Sequence, residues 1–226
     1  GRVGGPLKNY GERYSFPHGV QIGLIFDCTQ GPPALVSWPG RQPDLSDLTY
    51  IVGETSVTIT HCRRTGGNLL IPATINGKPV VNIGRAAFSH TSLKTVNIPN
   101  SVTNIGERAF SSSYNLKSVN IPNSVLSIGA SAFSDTRYLT NIVIGNSITN
   151  IGQAAFAVCT RLMKITIPNS VTSIGERAFY RCSSLTNVTI GNSVARIGGQ
   201  AFRNCGSLMS VSIPNSVTSI GPSTFS

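Results

Sequence analysis

Apolar and polar positions in this chain recur with one period over most of its length. An Ile-Gly pair stands at Ile83, Ile105, Ile128, Ile151, Ile174, Ile197 and Ile220, at intervals of 22 and then 23 residues. A Phe follows each of those glycines by four residues, from Phe88 through Phe110, Phe133, Phe156, Phe179 and Phe202 to Phe225. A Leu opens each unit at Leu93, Leu116, Leu139, Leu162, Leu185 and Leu208. Fixed apolar columns at such a period predict a solenoid, because one unit cannot bury its apolar face until its neighbours close over it. In Val119-Asn120-Ile121 a polar residue alternates with apolar ones, the pattern of a strand with one buried face. Successive strands then lie parallel, about 4.8 Å apart.

Each column has a predicted structural task. The Leu, Val and Ile columns fill the interior, and the Phe column forms an aromatic spine, each buried ring contributing about 1.5–3 kcal/mol. Pro99, Pro122, Pro168 and Pro214 end the strand for want of an N–H, with Gly145 and Gly191 in their place in two units. Asn100, Asn123, Asn146, Asn169, Asn192 and Asn215, each followed by Ser, are expected to close the corner through nearby backbone groups. The Gly of each Ile-Gly is expected to adopt a backbone shape that a side chain would hinder. Cys159, Cys182 and Cys205 share the position three after the Phe, where Ser113 and Thr136 stand in earlier units. A stacked thiol column could be a metal or redox array. A small, weakly polar side chain at an inward corner explains it more simply, and in-register thiols have poor disulfide geometry.

Composition narrows the class. Charged residues make up 12% of the 226, about half the usual share, and hydrophobic residues 40%, so disorder driven by charge is excluded. No apolar run approaches the roughly 20 residues of a membrane helix, and no export signal is visible. The net charge is +10, and all of it arises in residues 48–226, since bases and acids balance in residues 1–47. A basic body attracts anionic surfaces, although no run of five like charges supports specific nucleic-acid binding. Five widely spaced cysteines with no C-x-x-C argue against a disulfide framework and a local zinc site. No cofactor is expected.

The unit running from Leu162-Met163-Lys164-Ile165-Thr166-Ile167-Pro168-Asn169-Ser170-Val171 to Ile174-Gly175-Glu176-Arg177-Ala178-Phe179 and Cys182 resembles the BspA-like, or Treponema pallidum-type, leucine-rich repeat. Its entry also looks like that family's: Thr49-Tyr50-Ile51-Val52 and Ser56-Val57-Thr58-Ile59-Thr60 suggest a hairpin closed by Gly53 and Glu54. The resemblance covers residues 48–226. It implies a leucine-rich-repeat solenoid of seven coils: a right-handed curved β-rich superhelix with a parallel sheet on one face and short strands, turns and 3-10 segments on the other. It further implies a bacterial surface or secreted protein, with roles in adhesion or in binding host or microbial proteins and glycans, and it carries over no catalytic residue. Residues 1–47 fall outside it and read as an N-terminal cap or an irregular leader. The other end stops at Ser226, right after Phe225, so a truncated solenoid or end-to-end self-association is expected.

Binding should use positions that vary between units. Outward positions of the strand face are Lys94, Thr95, Asn97, Lys117, Ser118, Asn120, Asn141, Lys164, Thr166, Asn187 and Thr189. This surface is rich in Ser, Thr and Asn, has lysines read as lying along one edge, and has no aromatic residue, so it suits a glycan or multivalent contact with a cell-surface or matrix partner. A second variable zone follows the Phe and holds Tyr114, Arg137, Tyr138, Arg161, Tyr180 and Arg181. Two alternatives belong to other classes. One is a hydrolytic enzyme with a site near His18, Asp27 and Cys28; the other is a self-assembling scaffold.

Overall fold

The computed structural model describes residues 45–63 and 66–226. His18, Asp27 and Cys28 lie outside these, as does nearly all of the expected cap or leader. A short 3-10 turn, Leu45–Asp47, leads into the hairpin of β1 (Leu48–Val52) and β2 (Val57–Cys62), joined through a Gly53 N–H to Ser56 carbonyl bond of 2.8 Å. The expected hairpin is therefore present, its connection reaching to Ser56.

The solenoid follows. Its first coil holds β3 (Gly67–Leu70), β4 (Thr74–Ile75) and β5 (Lys78–Ile83), the extra residues forming the small antiparallel β4–β5 turn. Each later coil has an opening strand after its Leu and a two-residue strand at its Ile-Gly. Coil 2 carries β6 (Leu93–Asn97) and β7 (Asn104–Ile105), coil 3 β8 (Ser118–Asn120) and β9 (Ser127–Ile128), and coil 4 β10 (Asn141–Val143) and β11 (Asn150–Ile151). Coil 5 carries β12 (Lys164–Thr166) and β13 (Ser173–Ile174), coil 6 β14 (Asn187–Thr189) and β15 (Arg196–Ile197), and coil 7 only β16 (Ser219–Ile220). The longest sheet runs along the Ile-Gly side, from the hairpin through β5, β7, β9, β11, β13 and β15 to β16. The opening strands form two separate parallel sheets, β3-β6-β8-β10 and β12-β14.

The interior is as the columns require. Phe88, Phe110, Phe133, Phe156, Phe179 and Phe202 are fully buried. Neighbouring rings stack with centroids 5.0–5.5 Å apart and planes within 10°, inside the separation at which aromatic pairs attract. The spine fixes the spacing of one corner of every coil.

That corner is built from turns, not 3-10 helix, and its hydrogen bonds explain why. The N–H groups of Ala86, Phe88 and His90 donate to the carbonyls of Glu107, Ala109 and Ser111 in the next coil at 2.9, 2.7 and 2.9 Å. Those of Ser131, Phe133 and Asp135 do the same toward Gln153, Ala155 and Ala157 at 2.7 Å each. The residues between them bond back within their own coil, as Ala87 N–H does to Gly84 at 3.3 Å and Ser89 N–H to Ala86 at 3.1 Å. Facing alternate N–H groups along the stack requires positive φ at two positions per coil: two after the Gly (Ala86, Arg108, Ser131, Ala154, Arg177, Gln200, Ser223) and two after the Phe (His90, Ser112, Asp135, Val158, Arg181, Asn204), all at 51° to 62°. A 3-10 run cannot pass through such residues.

The glycines of the Ile-Gly pairs have a different role from the expected one. None of them has positive φ. They are small because coils touch there: a Cβ on Gly129 would stand 2.6 Å from the Gly106 carbonyl carbon, and one on Gly152 2.7 Å from that of Gly129. The Asn and Ser columns also differ from expectation. The corner after each strand is closed by backbone, as in Val125 N–H to Pro122 at 3.1 Å, while the side chains tie one coil to the next. Ser124, Ser170 and Ser216 hydroxyls donate to carbonyls of the preceding coil at 2.7–2.8 Å, and Asn123 and Asn169 accept from the N–H of Asn146 and Asn192 at 2.8 Å. Ser101, which follows the irregular first coil, has a buried hydroxyl without a partner.

Candidate binding surface

The strand face presents the expected polar residues in three columns set by register. Thr95, Ser118 and Asn141 are aligned, as are Asn97, Asn120 and Val143; Lys164 pairs with Asn187 and Thr166 with Thr189. Lys94, Lys117, Asn120, Asn141, Lys164, Thr166, Asn187 and Thr189 are exposed, while Thr95, Asn97 and Ser118 are half-buried. Thr95 is a poor ligand contact, because its Oγ1 is buried and unpartnered. The three lysines do not share an edge. Lys94 and Lys117 occupy the first position after the Leu, with Lys117 N–H on the Lys94 carbonyl at 2.8 Å. Lys164 occupies the second position, two coils further on, where Met163 holds the first. No Asp or Glu stands on any opening strand, so nothing offsets these cations locally.

The zone after the Phe is more ordered than its sequence suggested. The Arg137 guanidinium lies over the Tyr114 ring of the preceding coil at 5.7 Å, and Arg161 over Tyr138 of the preceding coil at 4.1 Å. Arg181 lies over its own neighbour Tyr180 at 5.2 Å. Since Arg137 and Tyr138 are adjacent, the first two pairs form one cation–π ladder across coils 2 to 4. Asp135 binds Arg137 Nε at 2.7 Å and raises its pKa further. A shallow hollow of about 420 Å³ lies between Arg137 and Arg181 over Val158 and Thr160. The signal for the ladder was in the sequence: Tyr114 and Arg137 share one repeat position, and Tyr138 and Arg161 the next.

The cysteine column is structural. Cys159, Cys182 and Cys205 donate through Sγ to the carbonyls of Phe133, Phe156 and Phe179 in the preceding coil at 3.4, 3.2 and 3.2 Å. Ser113 makes the same bond to Phe88 at 2.7 Å. The position thus calls for a small buried donor, and burial pushes the Cys182 thiol well above its usual range, away from reactive thiolate. Among the described residues no cluster of His, Cys, Asp and Glu could hold a metal ion, and no helix is long and apolar enough to cross a membrane.

Comparison with known proteins agrees with this geometry. A family profile described as BspA type Leucine rich repeat region (6 copies) matches residues 81–207 and 149–226. A leucine-rich repeat protein of T. pallidum is 30% identical, superposes with a TM-score of 0.77, and is matched over 80% of this chain and 86% of its own. A leucine-rich cell surface protein of Faecalibacterium prausnitzii is 36% identical with a TM-score of 0.74, over 80% of this chain and 50% of its own. A leucine-rich repeat protein of Eubacterium ventriosum, 24% identical over 78% of this chain and 49% of its own, shares the fold with a TM-score of 0.65. The chain thus spans about half the length of two of these relatives. No curated protein matches it.

Proposed function

The chain belongs to the BspA-type leucine-rich repeat family, a repeat-built protein-binding module, and from that premise we propose that it acts in recognition or adhesion at a cell surface or in the extracellular space, on host or microbial surface proteins or glycans. One observation carries this reading. The frame is nearly invariant from coil to coil, whereas the exposed positions of the opening strands vary and hold Lys, Asn, Thr and Ser without a single acid. Such a surface gains from multivalent contact, and the basic body speeds encounter with anionic partners. That the F. prausnitzii relative is a cell surface protein supports the location. A binding array of glycans and extracellular-matrix proteins tests it, comparing the wild type with Lys94, Lys117 and Lys164 all changed to Glu. Binding to anionic partners should fall in the triple variant and in high salt. Binding that survives both removes the electrostatic account.

A further inference from the structure

The ladder of opening strands is broken in the middle of the face, and several unusual groups meet at the break. β10 pairs with β8 and β12 with β14, but β10 and β12 do not pair, and no backbone hydrogen bond links residues 139–145 to residues 162–168. Gly145 stands beside this break. Where a Pro would stand, it lets coil 4 settle onto coil 3, so closely that a Cβ would be 2.4 Å from the Pro122 carbonyl oxygen. Asn146 N–H then reaches Asn123 Oδ1, and the coil 4 strand is left unpaired toward coil 5. The inward Ile142 and Ile144 show it, being 8% and 7% exposed, against 2% and 1% for Ile165 and Ile167.

Four outward groups flank this seam. Val143 and Met163 are 53% and 55% exposed, two apolar side chains on a mostly polar face. Arg161, just before Leu162, is held at 4.1 Å on Tyr138, just before Leu139, and Lys164 lies one residue beyond Met163. Neither cation is in an ion pair among the described residues. A hollow of about 350 Å³ adjoins Val143 between Asn120, Asn123 and Asn146. Tyr, Arg and Met are the residues enriched where proteins meet, and the stacked guanidinium is already immobilised. A sugar would leave Val143 and Met163 against hydroxyls; an apolar side chain would cover them.

We propose that the seam between coils 4 and 5 binds an extended acidic segment of a partner protein, one apolar side chain of which rests on Met163 while carboxylates reach Arg161 and Lys164. The proposal rests on the binding-module reading and adds its site and partner chemistry. The molecule contains its own control. Gly191 settles on Pro168 in the same way, and β14 has no partner in coil 7, but Ser184, Ser207 and Ser210 stand there in place of Tyr138, Arg161 and Lys164.

The two methionines of the chain, Met163 and Met209, report on the two seams separately. With both methyls carbon-13 labelled in the full chain, titration with a synthetic Glu-Asp-Leu-Asp-Glu peptide should shift the Met163 signal saturably and leave Met209 in place. The pair R161E and K164E should weaken this binding about tenfold or more, and R196E, on the Ile-Gly side, should leave it unchanged; amide spectra of each variant report that it is folded. Equal movement of both methionines, or no movement, overturns the seam as the site. Movement of Met163 with a heparin fragment but not with the peptide overturns the partner class. If the array detects partners while Met163 stays silent to the peptide, the seam fails and the general reading stands.

Discussion

The Phe corner and the strand face are made of the same coils yet hold them together differently. At the Phe corner, inter-coil hydrogen bonds recur in every coil from Ala86 to Asn204, each pointing the same way, over a continuous stack of rings. Peptide dipoles there add along the stack, whereas strand dipoles alternate and largely cancel. On the strand face the ladder is interrupted twice, after the two coils that carry Gly in place of Pro. The difference shows where this solenoid keeps its stiffness and where it is free to vary. Residues at the Phe corner are constrained by the backbone of the coil above and below; those on the strand face answer mainly to solvent or to a partner.

The strongest way to break this comparison is to remove a ring from the spine. Phe133→Ala should cost about 3–5 kcal/mol, because Phe133 is fully buried between Phe110 and Phe156. Met163→Ala on the strand face should change the unfolding free energy measured in urea by no more than about 0.5 kcal/mol. Comparable losses for both would mean that the two faces are equally supporting. A smaller effect is expected from the contact between coils. Gly152→Ala places a methyl 2.7 Å from the Gly129 carbonyl carbon, and the overpacking should cost about 1–3 kcal/mol by chemical denaturation. The smallest effect has the opposite sign. Val158 is β-branched and sits at a φ of 62°, so Val158→Asn should raise stability by about 1 kcal/mol, read as a higher melting temperature.

The reasons behind two of those tests were not visible in the repeat. The Ile-Gly glycine is predicted from sequence to serve an unusual backbone angle, but that angle falls on Ala86, Arg108, Ser131 and their equivalents, which no composition rule marks. The Asn and Ser columns are legible as corner residues, yet their bonds run between coils, since in-register stacking brings the next coil as near as the next turn. The lysines illustrate the limit for the candidate surface. Lys164 is exposed as expected, but one position of repeat register separates it from the Lys94 and Lys117 column. The Tyr–Arg ladder had a sequence signal in shared repeat positions, and reading each residue alone concealed it.

Sequence alone determined the seven coils, the inward columns and the aromatic spine, because a sustained apolar period leaves stacking as the way to remove those side chains from water. The tertiary structure decided how closely each coil sits on its neighbour: tightly at Gly129 and Gly152, unevenly around Gly145 and Gly191. Those separations follow from backbone contact between residues about 23 positions apart, and a contact of that kind has no expression in the pattern of one unit.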